Sequence, residues 1–278
     1  MIEGTTGKVG SAAQQSALWG PGAGDWAEVM EGPSGWGIAV YRRILELVPI
    51  GEATRLLDVG CGAGRFCRIA RDRGAWVAGL DATSRFIDIA RERTPDGEFE
   101  VGEMEDLRWQ DDTFDVVTGF NSFFLADDML GALREARRVA RPGGTLALTV
   151  FGRPERCDST TLFAAMLRLV EADDAQTEES ERKPTEPPAL HEEEVILGIA
   201  GEAGLRPTDC AYFQFTEEYP DAETMARGML AAPPGRKAAR ATSADKVSEV
   251  LTKAVQHRVS RSGAVRLREE VRYLIATT

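Results

Sequence analysis

The chain has 278 residues, 43% of them hydrophobic, enough to bury one full α/β core with material left for a cap, so one elaborated domain is expected. Asp and Glu total 45 against 33 Lys and Arg, a formal net charge of -12. That average field repels phosphate polymers and anionic membranes and argues against both as partners.

In chain order, residues 1–16 are rich in Gly, Thr, Ser, Ala and Gln without apolar periodicity and are expected to be frayed. Residues 18–36 turn aromatic and glycine-rich, with Trp19, Trp26 and Trp36, and read either as a lid or as a helix packed on a sheet. Residues 38–48 have the spacing of an amphipathic helix that ends before Pro49. From Arg55 onward, strand, turn and helix alternate. The expected strands are 55–59, 75–80, 98–101, 114–120 and 145–151. The intervening helices are 65–73, one capped by Ser84 and reaching about Arg93, and one opened by Asp127 or Asp128 and running to Ala140. Arg141-Pro142-Gly143-Gly144 stops that last helix. Helices of this length between strands predict a parallel sheet with right-handed crossovers and helices on both faces.

Beyond Phe151 the pattern changes. Residues 159–170 look helical, whereas 171–194 are strongly acidic and carry Pro184, Pro187 and Pro188, which exclude a continuous helix. This stretch reads as a mobile loop over or beside a site, or as a plain surface linker. A helix over 192–203 closed by Gly204, a strand over 206–215, a largely helical stretch over 221–256 and a final strand over 266–276 complete the reading. It divides the chain into an N-terminal tail and helical lid, 1–49, and a main domain, 50–278, with loop or cap insertions at about 152–194 and 216–264.

The chemistry concentrates at Gly60-Cys61-Gly62-Ala63-Gly64, where a strand turns sharply into a helix and a ligand can approach bare backbone. Asp81, at the tip of the second strand about twenty residues later, is placed to hold a ribose diol by two hydrogen bonds. An adenosine-containing cofactor follows. A dinucleotide fingerprint needs glycine at the third position of its motif, but Arg65 or Cys67 stands there, depending on the starting glycine. Asp58, two residues before the first glycine, is unwelcome beside a pyrophosphate and tolerable beside a cationic ligand.

These motifs resemble the class I S-adenosylmethionine-dependent methyltransferases. Residues 57–64 look like that family's first motif, Gly79-Leu80-Asp81-Ala82 like its second, and 101–107 like the acidic stretch that frames adenine. Phe114-Asp115-Val116-Val117 and Arg138 to Thr145 look like its fourth strand, next helix and fifth strand. The resemblance implies a doubly wound Rossmann-like α/β fold, a seven-stranded mostly parallel sheet whose antiparallel last strand, 266–276, lies next to the sixth. It implies S-adenosylmethionine as cofactor, S-adenosylhomocysteine as product and no metal. By position, Gly60, Cys61 and Gly62 face the methionine part, Asp58 and Gly64 count with them as cofactor-binding, and Asp81 binds the ribose. Ala82, Met104 and Glu105 lie near adenine, with Glu103 where the family usually has Asp, and Phe120 and Asn121 close the site.

Methyl transfer from a sulfonium is an in-line displacement that needs alignment in a dry site more than a nucleophilic residue. The implied acceptor is a small molecule, bound in an apolar pocket over the carboxyl ends of the strands and lined by Trp19, Trp26, Phe124 and Phe151. His191 is a weak candidate for a general base, since a solvent-exposed histidine beside Glu192 is the plainer reading. The four cysteines form no C-x-x-C pair and only two histidines accompany them, so a reduced interior is the simplest context and no zinc site is expected. No basic-then-apolar leader opens the chain, and no apolar run approaches the roughly 18 residues of a bilayer span, so a cytoplasmic location is expected. The competing readings are a non-catalytic cofactor-binding regulator and an NAD-dependent oxidoreductase. The acceptor atom and the oligomeric state stay open.

Overall fold

A computed structural model describes residues 10–33, 35–174 and 189–278. Its centre is one sheet in the order β3-β2-β1-β4-β5-β7-β6. The strands are β1 (Arg55–Val59), β2 (Trp76–Asp81), β3 (Glu98–Val101), β4 (Phe114–Phe120), β5 (Ala140–Phe151), β6 (Arg206–Tyr219) and β7 (Val265–Thr277). β1 to β5 pair in parallel, and β7 lies between β5 and β6, antiparallel to both. This is the Rossmann-like seven-stranded arrangement expected.

Alternation within the buried strands decides which helices cover which face. Leu57, Val59, Leu80 and Val117 pack with α6 (Met129–Val139) and α8 (Glu193–Glu202), through Leu133, Ala136, Ile196 and Ala200. Leu56, Val77 and Val116 point the other way, to α3 (Gly37–Leu47), α4 (Arg65–Arg71) and α5 (Ser84–Arg93), through Ile44, Phe66 and Ile87. Both faces are therefore dry, as near-continuous apolar strands require.

A third apolar cluster stands apart from the sheet. It joins α7 (Asp158–Asp174), α9 (Ala222–Ala231), α10 (Pro233–Ala241) and α11 (Ala244–Ala254) to Tyr219 and Leu267 at one end of the β6–β7 ribbon. Val29 and Met30, from a π-helical turn over Trp26–Met30, complete it.

Several expectations shift. Residues 10–16 are ordered: α1 (Ala12–Trp19) follows Ser11, which is only 2% exposed, while residues 1–9 lie outside the described residues. α1 continues through Gly20–Gly22 and α2 (Ala23–Asp25) into the π-helical turn. Thr83, not Ser84, holds the cap position of α5, because Asp81 takes the Thr83 amide and bends the chain there. β6 runs four residues beyond Phe215 to Tyr219, since β7 stays paired with it as far as Val265. The acidic loop expected over 171–194 begins as the end of α7 and resumes at Ala189; residues 175–188 lie outside the described residues.

Candidate active site

β1 hands the chain into α4 through Gly60, Gly62 and Gly64, all at positive φ. Gly62 has no room for a side chain: a Cβ there would overlap the Glu31 carboxylate. Every amide of this bend is committed within the protein. Gly60 and Cys61 donate to the Leu80 carbonyl at 2.7 and 2.9 Å, Gly64 donates to the Cys61 carbonyl, and Gly62 donates to Asp81 Oδ2 at 3.0 Å. Ala63 and Arg65 donate to the two oxygens of Glu31, at 2.8 and 3.4 Å.

Glu31 therefore sits at the start of α4, the position where a helix N-terminus would otherwise receive an anion. Arg93, from the end of α5, holds it at 3.0 Å and also donates to the carbonyls of Ala63 and Ala27. One cation thus ties the bend to the N-terminal segment.

Three carboxylates line this end of one cavity: Glu31, Asp58 and Asp81. Asp58 lies opposite Thr118 across β1 and β4 and accepts its hydroxyl at 2.7 Å. Burial, reinforced by the neighbouring acids, pushes Asp58 up to about 7. Burial also raises Glu31 to about 7, against the pull of the Ala63 amide and Arg93. Asp81 is raised by burial too, opposed by the amides of Thr83 and Gly62. Converging acids that resist ionisation fit a positively charged ligand, which would offset their repulsion and their burial cost.

The cavity has a volume of about 600 Å³, within the range of small-molecule sites. Of the residues expected at the site, Asp58, Gly60, Cys61, Gly62, Asp81, Ala82, Glu103, Met104, Phe120 and Asn121 line it. Gly64 and Glu105 are not on its wall. Gly64 packs against Ala90, and Glu105 accepts from the Asp128 amide and from Ser11. Glu103 is turned to the start of α1, accepting the Ala12 amide at 2.8 Å and the Ser11 hydroxyl. The acidic stretch thus anchors the N-terminal helix as well as bordering the cavity.

Asn121, at the tip of β4, has φ 50, unusual for a residue with a side chain. Its Oδ1 accepts from Thr149 at 2.9 Å, while its buried Nδ2 has no partner, leaving a donor for a ligand.

Residues 57–148, about a third of the chain, match the sequence profile of a family described as "Methyltransferase domain". That stretch is similar to methyltransferase domains. The chain is 34% identical to a demethylmenaquinone methyltransferase of Thermotoga maritima across 112 residues, 38% of this chain and 48% of the relative. It is 35% identical to a malonyl-[acyl-carrier protein] O-methyltransferase of Serratia marcescens across 109 residues, 38% of this chain and 42% of that relative. The chain thus spans less than half the length of either. The likeness to the YcgJ protein of Bacillus subtilis covers 86% of this chain and 98% of that one, with a TM-score of 0.55 at 18% identity, and concerns the fold.

The far wall of the cavity, built from the matched region and from segments outside it, is apolar. Trp19, Trp26, Phe124 and Phe151 all line it. Trp19 meets Trp26 edge to face at 4.8 Å, and Phe124 meets Phe151 at 5.4 Å. Phe151 is 50% exposed, a large apolar side chain left open at the cavity. Met30, Trp36, Phe163 and Met229 extend this wall. His191 is not on it: its backbone carbonyl accepts from Tyr212 and Arg272. Among the described residues no His, Cys, Asp and Glu group is arranged to hold a metal ion, and no helix is long and apolar enough to cross a membrane.

Sequence reasoning missed Glu31, Thr118 and Glu217 on or beside this cavity. Thr118 left a legible signal, as a polar residue near the end of a mostly apolar strand. Glu31 left none, because its partners lie more than thirty positions away.

Proposed function

We propose that this chain transfers a methyl group from S-adenosylmethionine to a small apolar acceptor. The observation that carries this reading is the closure of the glycine bend to anions: its amides are all taken, and a carboxylate occupies the start of α4. A pyrophosphate would meet Glu31, Asp58 and Asp81 instead of free N–H groups, which opposes the NAD-dependent reading. An ammonium and a sulfonium would meet three acids, and both relatives named above are called methyltransferases.

When bound, S-adenosylmethionine supplies an electrophilic methyl on sulfur. The chain's residues do the rest. Asp81 accepts from the ribose hydroxyls with the lone pairs left by Gly62 and Thr83. Glu31 and Asp58 set a negative field at the methionine end. Ala82 and Met104 flank the adenine, and Asn121 offers its free amide donor at the strand tip. Trp19, Trp26, Phe124 and Phe151 exclude water and hold the acceptor in line, where alignment provides much of the rate.

Calorimetric titration of the full chain with S-adenosylmethionine, S-adenosylhomocysteine and NADH tests the reading. Binding of the first two without the third is the expected result, and NADH binding alone overturns it. Turnover against amine, phenol and carboxylate sets then separates an enzyme from a binding protein.

A further inference from the structure

The acids just described come from the carboxyl ends of β1 and β2, Asp58 and Asp81, and from Glu31 just after the π-helical turn. A further acid, Glu217, reaches the same cavity from the opposite edge of the sheet, on β6. It stands in the strand's alternation between Phe215 and Tyr219 and pairs in register with Leu267. Phe215 packs against Trp36 at 6.2 Å, and Tyr219 and Leu267 belong to the apolar cluster of α7, α9, α10 and α11. Glu217 is 3% exposed.

Its two oxygens are treated differently. Oε2 accepts the Tyr219 hydroxyl at 3.0 Å, and the same hydroxyl lies 3.6 Å from Met30 Sδ. Oε1 is buried without a partner. Glu269, the acid whose charge acts on Glu217, is occupied: both its oxygens accept from Ser159, the amide at 2.9 Å and the hydroxyl at 2.7 Å. A buried carboxyl with one free oxygen is costly unless something pairs with it, and the fold does not need a charge here. Replacing it with an apolar residue of similar size would relieve that cost. Its place on a cavity wall gives the unpaired oxygen a use.

We propose that Glu217 is a binding residue for the acceptor, pairing through Oε1 with a hydroxyl on an otherwise apolar, aromatic-sized molecule. A hydroxyl both donates and accepts, so it satisfies Oε1 whether the carboxyl is ionised or neutral. Burial and the facing Glu269 hold Glu217 well above the usual carboxylate range, which favours a neutral partner over an ammonium needing a buried charge pair. Trp36, Phe163, Met229 and Pro233, all on the cavity wall, supply apolar surface for the rest of the molecule.

This rests on the methyl-transfer reading, and the test separates the two. The full chain is saturated with S-adenosylhomocysteine, whose own binding curve checks that reading. It is then titrated by tryptophan fluorescence with bicyclic phenols such as 2-naphthol and with their methyl ethers. Native protein is expected to bind the phenols at least tenfold tighter than the ethers. Glu217→Leu is expected to erase that preference while ether binding and S-adenosylhomocysteine binding stay unchanged. Glu217→Gln, which keeps a polar partner, is expected to retain part of the preference and stands in if the leucine variant does not fold. Equal binding of phenol and ether by native protein, no phenol binding at all, or a preference that survives in Glu217→Leu overturns the proposal.

Discussion

The two ends of the cavity are built on different plans. At β1, β2 and β4 the polar groups, Glu31 excepted, come from short contiguous motifs, and each acid has partners: Thr118 on Asp58, Gly62 and Thr83 on Asp81, Arg93 on Glu31. At the far end the walls come from segments widely separated in the chain, mostly apolar, with one acid left half-satisfied. On the methyl-transfer reading, the first end receives one charged ligand and the second offers apolar contact with one polar handle.

The largest expected effect falls where the two plans meet. Arg93→Ala would leave Glu31 buried without its cation, at a cost of about 3 kcal/mol, read as a lowered urea midpoint. Adding Glu31→Gln to that variant should recover part of the loss, because the uncompensated charge is gone although the carbonyls of Ala63 and Ala27 stay unpaired. No recovery would mean that Arg93 acts by packing alone.

Asp81→Ala should weaken cofactor affinity by about 1–3 kcal/mol, the cost of leaving a ribose hydroxyl pair unmatched, with acceptor-side variants unaffected in the same titration. An unchanged dissociation constant would remove Asp81 from the receptor end.

The pH dependence is next. Asp58 rises from an ordinary 3.8 to about 7 and Glu31 from 4.5 to about 7. Both folded values lie above the unfolded ones, so their contribution to the stability of the unliganded protein is complete below the ordinary values and is lost as pH rises through about 7. A cationic ligand prefers the ionised acids. Its affinity should therefore climb between pH 6 and 8, with protons released on binding near pH 6.5. Calorimetry in buffers of differing ionisation enthalpy reads that release, and proton uptake would contradict it.

The smallest effect belongs to the apolar end. Phe124→Ala loses its contact with Phe151 and should cost about 1 kcal/mol in acceptor binding, roughly fivefold, with cofactor affinity unchanged. An equal loss at both ends would show that the two plans are not separable.

The legible part of this protein is the part whose partners are close in sequence. β1, β3 and β4 fall on the expected residues, since burial on both faces makes the strands near-continuous apolar runs and turns punctuate them. Gly60, Gly62 and Asp81 were readable because a bend and a strand tip impose their own residue types. Residues 10–16 were misread because nothing local orders them: their anchors are Glu103 and Glu105, some ninety positions on. The end of β6 was misread because its pairing with β7 carries it beyond Phe215.

The sequence by itself determined the sheet, the glycine bend and an acid at the second strand's tip, because hydrophobic periodicity and backbone sterics act over a few residues. Tertiary structure alone decided that Glu31 fills the mouth of α4, that Arg93 neutralises it, and that Glu217 shares a cavity with Asp81. Those outcomes depend on burial and on charges meeting across long separations, and neither is written in the spacing of nearby residues.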